Sequence, residues 1–202
     1  MRKPRTGGQR VLGLALVSLL GAGLVFVGGG LLETGFGAAT AAEAAVQDFD
    51  PKARLSELGI ELYEPPAPLA NYVKTVHTGN LVFLSGHGPS RLDGSGLVTG
   101  KVGADLTTEE GYDAARLVGI ALLSSLQAEL GDLSRVRRVV RVFGMVNATS
   151  DYTDHSLVIN GASDLLVEVF GDRGKHVRAA VGMASLPRNM AVEIEMIVEV
   201  AE

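Results

Sequence analysis

The alternation of strand-like and helix-like segments after residue 70 is the feature that most limits how this chain can fold. Strand patterns cover residues 72–78, 80–85, 136–146, 179–186 and 191–200, and a short strand is expected near residues 97–100. Helical patterns cover residues 107–130 and 154–170, the second with an expected interruption near Asn160 and Gly161. This order predicts an α+β fold in which two helices cover one face of a single sheet. The other face is partly apolar, so we expect another subunit to cover it.

Residues at the helix boundaries support these assignments. Thr107 and Glu110 have the spacing of a capping box, and Gly131 follows the last apolar residue of that helix. Asp50 and Pro51 resemble the N-cap and first position of a short earlier helix. Prolines at positions 65, 66 and 68 then impose an extended path, so residues 42–69 are expected to be a helix and a lead-in to a domain spanning residues 70–202.

The first 41 residues have the pattern of an export signal. Four cations precede an uncharged stretch at residues 11–32, and Ala39-Thr40-Ala41 fits an A-x-A cleavage site. The stretch is also long enough to span a bilayer, so both cleavage after Ala41 and an uncleaved membrane anchor remain open. Either alternative predicts an extracytoplasmic domain, periplasmic or secreted. The cations are Arg2, Lys3, Arg5 and Arg10.

Charge and composition exclude several kinds of site. The net charge is −5, and removal of residues 1–41, with four cations and one glutamate, makes it −8. An acidic chain lacks the basic field that nucleic acid requires. Without cysteines there is no disulfide, thiolate catalyst or Cys-based zinc site. The four histidines have no metal-binding spacing, so no metal is expected.

Arginines at positions 135, 137, 138 and 141 form a basic run along one predicted strand. Phosphate binding is one interpretation of this run. The favoured interpretation is charge pairing with Glu193, Glu195 or Glu199 on a nearby strand, because charged residues on a strand usually face a partner of opposite sign.

Several motifs resemble the RidA (YjgF) family. They are "GNLVFLSGHGP" at residues 79–89, "GLVTGKVG" at 96–103, "GDLSRVRRVVRVFGMVN" at 131–147, "VING" at 158–161 and "VRAAVGMASLPRNMAVEIEMI" at 177–197. The motifs occur in family order across residues 70–202. They resemble a branch other than that of the best-known enamine deaminases.

The resemblance implies a chorismate mutase-like fold, a homotrimer and clefts between adjacent subunits. It also implies hydrolysis of reactive 2-imino or enamino acids to 2-keto acids and ammonia, with no cofactor. By resemblance, Arg178 binds the substrate carboxylate and Glu193 is the acidic catalytic residue. We expect these two residues to lie on neighbouring strands. A strand-held arginine suits a carboxylate because it can donate two parallel hydrogen bonds. Water addition to an imine carbon needs a group that orients water and moves protons.

Further candidates follow from the same resemblance. Ser85 and Tyr72 are the additional catalytic candidates, and Asn160, Gly86 and His87 are the additional substrate-binding candidates. His87 replaces a glutamine that many relatives carry, so we expect a titratable group near the cleft.

Two other functions remain alternatives to the deaminase. The main one is a non-catalytic trimer that binds a small carboxylate ligand in the same cleft. The other is RNA cleavage, an activity by which some relatives are labelled; the acidic charge disfavours it.

Overall fold

The structure is a computed structural model that describes residues 50–68 and 70–201. The predicted export segment therefore lies outside the described residues. Within the described ranges, no helix is both long enough and apolar enough to cross a membrane.

The described residues form one five-stranded sheet and three α-helices. The helices are α1 (Pro51–Glu57), α2 (Thr108–Leu130) and α3 (His155–Phe170). The strands are β1 (Thr75–Thr78), β2 (Leu81–His87), β3 (Val136–Asn147), β4 (Val177–Met183) and β5 (Val192–Val200). Their order across the sheet is β1-β2-β5-β3-β4. All neighbours are antiparallel except β3 and β4, which run parallel because α3 connects them as a crossover.

The predicted helix boundaries are confirmed. The Thr107 hydroxyl accepts a hydrogen bond from the Glu110 amide at 3.1 Å, and the Thr107 amide donates to the Glu110 carboxylate at 2.8 Å. Gly131 ends the helix with φ 75°. Asp50 caps α1 by accepting from the Ala53 amide at 2.9 Å. The short strand expected near residues 97–100 is reduced to two isolated bridges, one of them between Thr99 and Met190.

The expected interruption of the second long helix is wrong, because α3 is continuous through Asn160 and Gly161. A β-carbon added at Gly161 would overlap the carbonyl oxygen of Tyr112 in α2. The glycine therefore allows close contact between two helix backbones and does not break its own helix. Packing against α2 outweighs the low helix propensity of glycine, which costs about 1 kcal/mol.

Alternate residues of the central strands form the core under the two long helices. In β5, Val192, Ile194, Met196, Val198 and Val200 are buried, whereas the odd-numbered residues between them are on the other face. The buried residues pack with apolar residues of α2 and α3 in one core cluster. The prediction that two helices cover one face is therefore confirmed.

The opposite sheet face has exposed apolar side chains. Phe83 on β2 is 40% exposed, Val76 opposite it on β1 is 52% exposed, and Val177 on β4 is 66% exposed. We call this surface, which also includes Ile197 and Phe143 by register, the open face. Arg138 lies opposite Glu199 in the register, but no described ion pair joins β3 to β5 within 4 Å.

The expectation that Arg178 and Glu193 lie on neighbouring strands is wrong. Arg178 is on β4 and Glu193 is on β5, and β3 lies between these strands. The register pairs Arg178 with Val142, on the helix-covered face, and Glu193 with Met145, on the open face. The reason is topological: the crossover through α3 adds β4 at the sheet edge, and the chain then returns past β3 to form β5.

Candidate active site

Four of the predicted site residues line one cavity at the end of β2 and β5. These are Tyr72, Ser85, Gly86 and Glu193, and the cavity has a volume of about 660 Å³. Side chains from three separate stretches complete its walls, so the site depends on tertiary structure. The remaining lining residues are Pro66, Ala67, Lys74, Gly88, Leu97, Pro187, Arg188 and Met190.

A bulge in β2 brings Ser85 and Gly86 to this cavity. Leu84 pairs with Met196 and His87 pairs with Ile194, so β2 has one more residue than β5 between these two pairs. The Ser85 amide still pairs with the edge of the sheet, donating to the Lys74 carbonyl at 2.9 Å. Bulges locally redirect side chains, which here places two consecutive residues at the cavity wall.

Glu193 has an unpaired carboxylate in this cavity. It makes no hydrogen bond or ion pair with any residue in the described ranges, and its side chain is half-buried. Burial raises the pKa of the carboxyl above its ordinary value, and the negative charge of Glu195 raises it further. A carboxyl with a raised pKa can exchange protons nearer to neutral pH than an ordinary glutamate can.

The Ser85 hydroxyl is the only buried side-chain polar atom without a hydrogen-bond partner in the described part of the chain. Buried polar groups are nearly always satisfied, so an unsatisfied hydroxyl costs free energy. Because a serine hydroxyl is free to rotate, a ligand in the adjoining cavity could satisfy it.

His87 lies behind the cavity and does not line it. Its Nδ1 is 2.7 Å from the Ser85 carbonyl, and its Nε2 is 2.8 Å from the Ser125 hydroxyl on α2. A carbonyl only accepts, so Nδ1 carries the proton and Nε2 accepts from Ser125. Burial lowers the pKa of the imidazole to about 4. The sequence predicted a titratable group near the cleft. The structure shows instead a neutral, buried ring that hydrogen-bonds both to the bulge in β2 and to α2.

Arg178 and Asn160 meet at a second place, between β4 and α3. The guanidinium donates to the Asn160 amide oxygen at 2.8 Å and to the Ser163 hydroxyl at 3.0 Å. No described carboxylate pairs with Arg178. Neutral acceptors orient the guanidinium and leave its charge available for an anion. The predicted residues other than His87 thus form two groups on opposite faces of the sheet.

Two basic residues of the cavity, Lys74 and Arg188, were not predicted. Lys74 follows Tyr72 by two residues and precedes β1, and Arg188 follows Pro187 in the Leu-Pro turn. The two-residue spacing between Tyr72 and Lys74 could have indicated Lys74 as a residue of the site, because alternate residues of an extended segment share a face. For Arg188 the sequence has no such signal, because only the fold brings the turn that contains this residue next to that segment.

Another, larger cavity lies between α1 and the C-terminal end of α2, with a volume of about 810 Å³. None of the predicted site residues lines it, and its acidic and basic side chains lie at the surface. We assign no chemistry to it. Among the described residues there is no group of three histidine or acidic side chains arranged to hold a metal ion.

The fold and cavity define a chorismate mutase-like single-sheet protein with a candidate site at one sheet end that combines polar and apolar side chains. Residues 52–200 match the family model described as "YjgF/chorismate mutase-like, putative endoribonuclease", and the chain belongs to that family. The match covers nearly all of the described chain.

Three similar proteins extend this comparison. Protein TCP17 of Trypanosoma cruzi is 47% identical over 148 residues, which is 73% of this chain and 92% of that protein. A 2-iminobutanoate/2-iminopropanoate deaminase of Dermatophagoides farinae is 28% identical over 133 residues, or 66% of this chain and 88% of that protein. A crystal structure of an Agrobacterium tumefaciens protein of unknown function is 43% identical, with a TM-score of 0.69, and covers 78% of this chain and 97% of that one.

Proposed function

We propose that this protein hydrolyses reactive 2-imino or enamino acids to 2-keto acids and ammonia. The observation that carries the proposal is the unpaired Glu193 carboxylate, with its raised pKa, in the same cavity as Ser85 and Gly86. Similarity to a 2-iminobutanoate/2-iminopropanoate deaminase supports the substrate class. The negative net charge argues against ribonuclease activity, despite the family's description.

The complete site is proposed to lie between two subunits of a homotrimer. In one subunit Arg178 and Glu193 are on opposite faces of the sheet, with β3 between their strands. Arg178 is on the edge strand β4, and the open face has exposed apolar side chains that favour association. A neighbouring subunit that covers the open face would bring its Arg178 to the Glu193 cavity of the first.

The proposed reaction adds water to the imine carbon. Arg178 of the neighbouring subunit binds the substrate carboxylate through charge-assisted hydrogen bonds. Glu193 accepts a proton from water as the water oxygen bonds to the imine carbon, and the protonated Glu193 then donates this proton to the imine nitrogen. In the resulting carbinolamine Glu193 takes the hydroxyl proton and passes it to the nitrogen; the C–N bond then breaks, ammonia leaves and the C=O bond of the 2-keto acid forms. No electron transfer is involved, and Glu193 returns to its initial state.

Release of keto acid from imino acids generated in situ by an amino-acid oxidase tests this proposal. The parent protein should accelerate release, Arg178→Ala should not, and Arg91→Ala, which changes an exposed loop arginine, should behave as the parent. No acceleration by the parent over a panel of small and bulky imino acids would contradict the proposal.

Glu193→Gln separates the deaminase from a non-catalytic binder of small carboxylates. A deaminase should lose turnover and keep its affinity for a carboxylate ligand. Ligand binding by both proteins, with turnover by neither, would instead favour the binder.

The activity is proposed to be extracytoplasmic, on the basis of the charged start and uncharged stretch of residues 1–41. Cell fractionation of the full chain, followed by mass measurement of its N-terminus, tests location and cleavage together. A cytoplasmic protein that keeps residues 1–41 would contradict this assignment.

A further inference from the structure

The Glu193 cavity contains two basic side chains that the proposed reaction does not use. Lys74 and Arg188 both line it. Neither side chain has a hydrogen bond or ion pair with another described residue. The only acidic residue in the lining is Glu193. The cavity therefore has an excess of positive charge in a chain whose net charge is negative.

The charge of Lys74 is only partly solvated. Burial lowers the pKa of its ammonium group, and no carboxylate among the described residues forms an ion pair with it. The nearby His87 ring is neutral at physiological pH, so it does not compensate for the charge of Lys74. A ligand anion beside Lys74 would compensate for the lost hydration of the ammonium group.

Arg188 reaches the cavity from a backbone conformation that is unfavourable for a residue with a side chain. Its φ and ψ are 55° and 23°, and Asn189 also has a positive φ of 56°. Surrounding hydrogen bonds hold this turn: the Asn189 side chain accepts from the buried Asn147 amide at 3.0 Å, and the Asn189 carbonyl accepts from the Gly100 amide at 2.9 Å. Such conformations persist where the surrounding structure enforces them, often at ligand sites.

Apolar side chains also line this cavity. Leu97, Pro187 and Met190 contribute to it, and the Met190 sulfur packs close to Gly88. At about 660 Å³ the cavity exceeds the needs of a three- or four-carbon imino acid. The apolar wall suits an aliphatic chain, and the cations suit an anionic group at the end of that chain.

We propose that the preferred substrates are 2-imino acids with a second carboxylate at the end of an aliphatic chain, bound by Lys74 and Arg188. The inference rests on the proposed function, which assigns the first carboxylate to Arg178 of the neighbouring subunit. The same hydrolysis occurs at the imine carbon, and the second carboxylate takes no part in bond making or breaking.

Turnover of paired substrates tests the inference. Imino acids are generated in situ from acidic and from neutral amino acids, and the full chain is compared with Lys74→Met and with Lys52→Met, which changes an exposed lysine on α1. We expect Lys74→Met to raise KM about 10-fold or more for the dicarboxylic imino acid and less than about 2-fold for the neutral one. Lys52→Met should change neither. An equal effect of Lys74→Met on both substrates, or no effect, would overturn the inference.

Calorimetry with stable ligands separates this inference from the deaminase proposal. Glutarate should bind the full chain more tightly than butyrate, and Lys74→Met and Arg188→Met should each reduce the difference. That result without turnover of any imino acid would support the dicarboxylate site and contradict the deaminase. Turnover with no preference for dicarboxylates, in rate or in binding, would support the deaminase and overturn this inference.

Discussion

The carboxylate of Glu193 lies directly over the backbone of Gly86. A β-carbon built at Gly86 would overlap Glu193 Oε1 and be 2.9 Å from its Cδ. Glycine at position 86 thus creates the space that the acidic group occupies. The contact between Gly86 and Glu193 joins the bulge in β2 to the acidic residue of β5. It explains why a glycine, which has no side chain, belongs to the candidate site.

Gly86→Ala should displace the Glu193 carboxylate and lower kcat by about 100-fold, because a shift of about 1 Å in a reacting group can cost that much. The β-carbon would meet a side chain and not backbone, so the fold should persist. Keto-acid release and thermal unfolding, measured together, check both statements. Gly94→Ala, in an open surface turn with φ 75°, is the control: its backbone strain should lower stability modestly, but it should keep full activity. Unchanged activity in Gly86→Ala would contradict the role assigned to this contact.

Asn160→Leu should weaken binding of the substrate carboxylate by removing one of the hydrogen bonds that orient Arg178. The guanidinium would lose its 2.8 Å bond to Asn160 and keep the 3.0 Å bond to Ser163. We expect KM to rise about 10-fold with little change in kcat, the pattern of a lost binding interaction.

Asn160→Asp tests whether Asn160 orients the guanidinium of Arg178 through its hydrogen bond or only packs against it. The new carboxylate would pair with Arg178 and compete with the substrate, so KM should rise further than in Asn160→Leu. A smaller effect of the aspartate on steady-state KM would argue against Arg178 as the carboxylate anchor.

Stability should decrease as the pH falls from about 6.5 to about 4, because His87 resists protonation in the folded state. The pKa of the imidazole is about 4 in the fold, whereas an unperturbed histidine has a pKa near 6.5. Between these values the unfolded chain binds a proton that the folded chain does not, so unfolding becomes more favourable by up to about 3 kcal/mol. The stability that the neutral His87 ring contributes is fully present above pH 6.5 and is lost as the pH falls towards 4.

Urea unfolding at several pH values, compared with His87→Gln, measures this contribution. The glutamine variant should lose most of the slope between pH 6.5 and 4. His77→Gln, on the partly exposed strand β1, should retain it, since His87 is still present. An identical slope in the parent and His87→Gln would show that other groups cause the decrease.

Gly161→Ala should strongly destabilise the fold, because its β-carbon would overlap the Tyr112 carbonyl in α2. Backbone atoms cannot move aside as a side chain can, so we expect a loss of about 3 kcal/mol or more, at the high end for overpacked cores. Gly119→Ala, in the same helix pair, would overlap the end of the Leu165 side chain at 2.8 Å, and the nearest backbone atom, Cα of Ala162, would be at an ordinary contact distance of 3.5 Å. It should cost clearly less, and equal losses in urea unfolding would contradict the argument.

Phe83→Glu should dissociate the proposed trimer by placing a charge on the open face, where Phe83 is 40% exposed in the single chain. Leu157→Glu, at an exposed position on α3, is the matched control. Light scattering after size-exclusion chromatography should give a lower mass for Phe83→Glu alone. A parent protein that is already monomeric would refute the intersubunit site.

Local signals in the sequence were enough to predict the elements. The capping box at Thr107, the glycine at Gly131 and the β-branched run of β3 depend on neighbouring residues, and all three assignments were confirmed. The role of Gly161 was misread, since a glycine that allows helix contact and one that interrupts a helix have the same local sequence.

The sequence by itself determined the family and the covered and open sheet faces, and its resemblance to the family supplied four residues that the structure places in the lining of one cavity. Period-two burial and motif order require no long-range information. Only the tertiary structure decided that β3 separates Arg178 from Glu193, that His87 lies behind the cavity, and that Lys74 and Arg188 line it. Strand order and the direction of a loop depend on contacts between residues far apart in the chain. The packing of the two helices on the sheet fixes those contacts, and no local pattern encodes them.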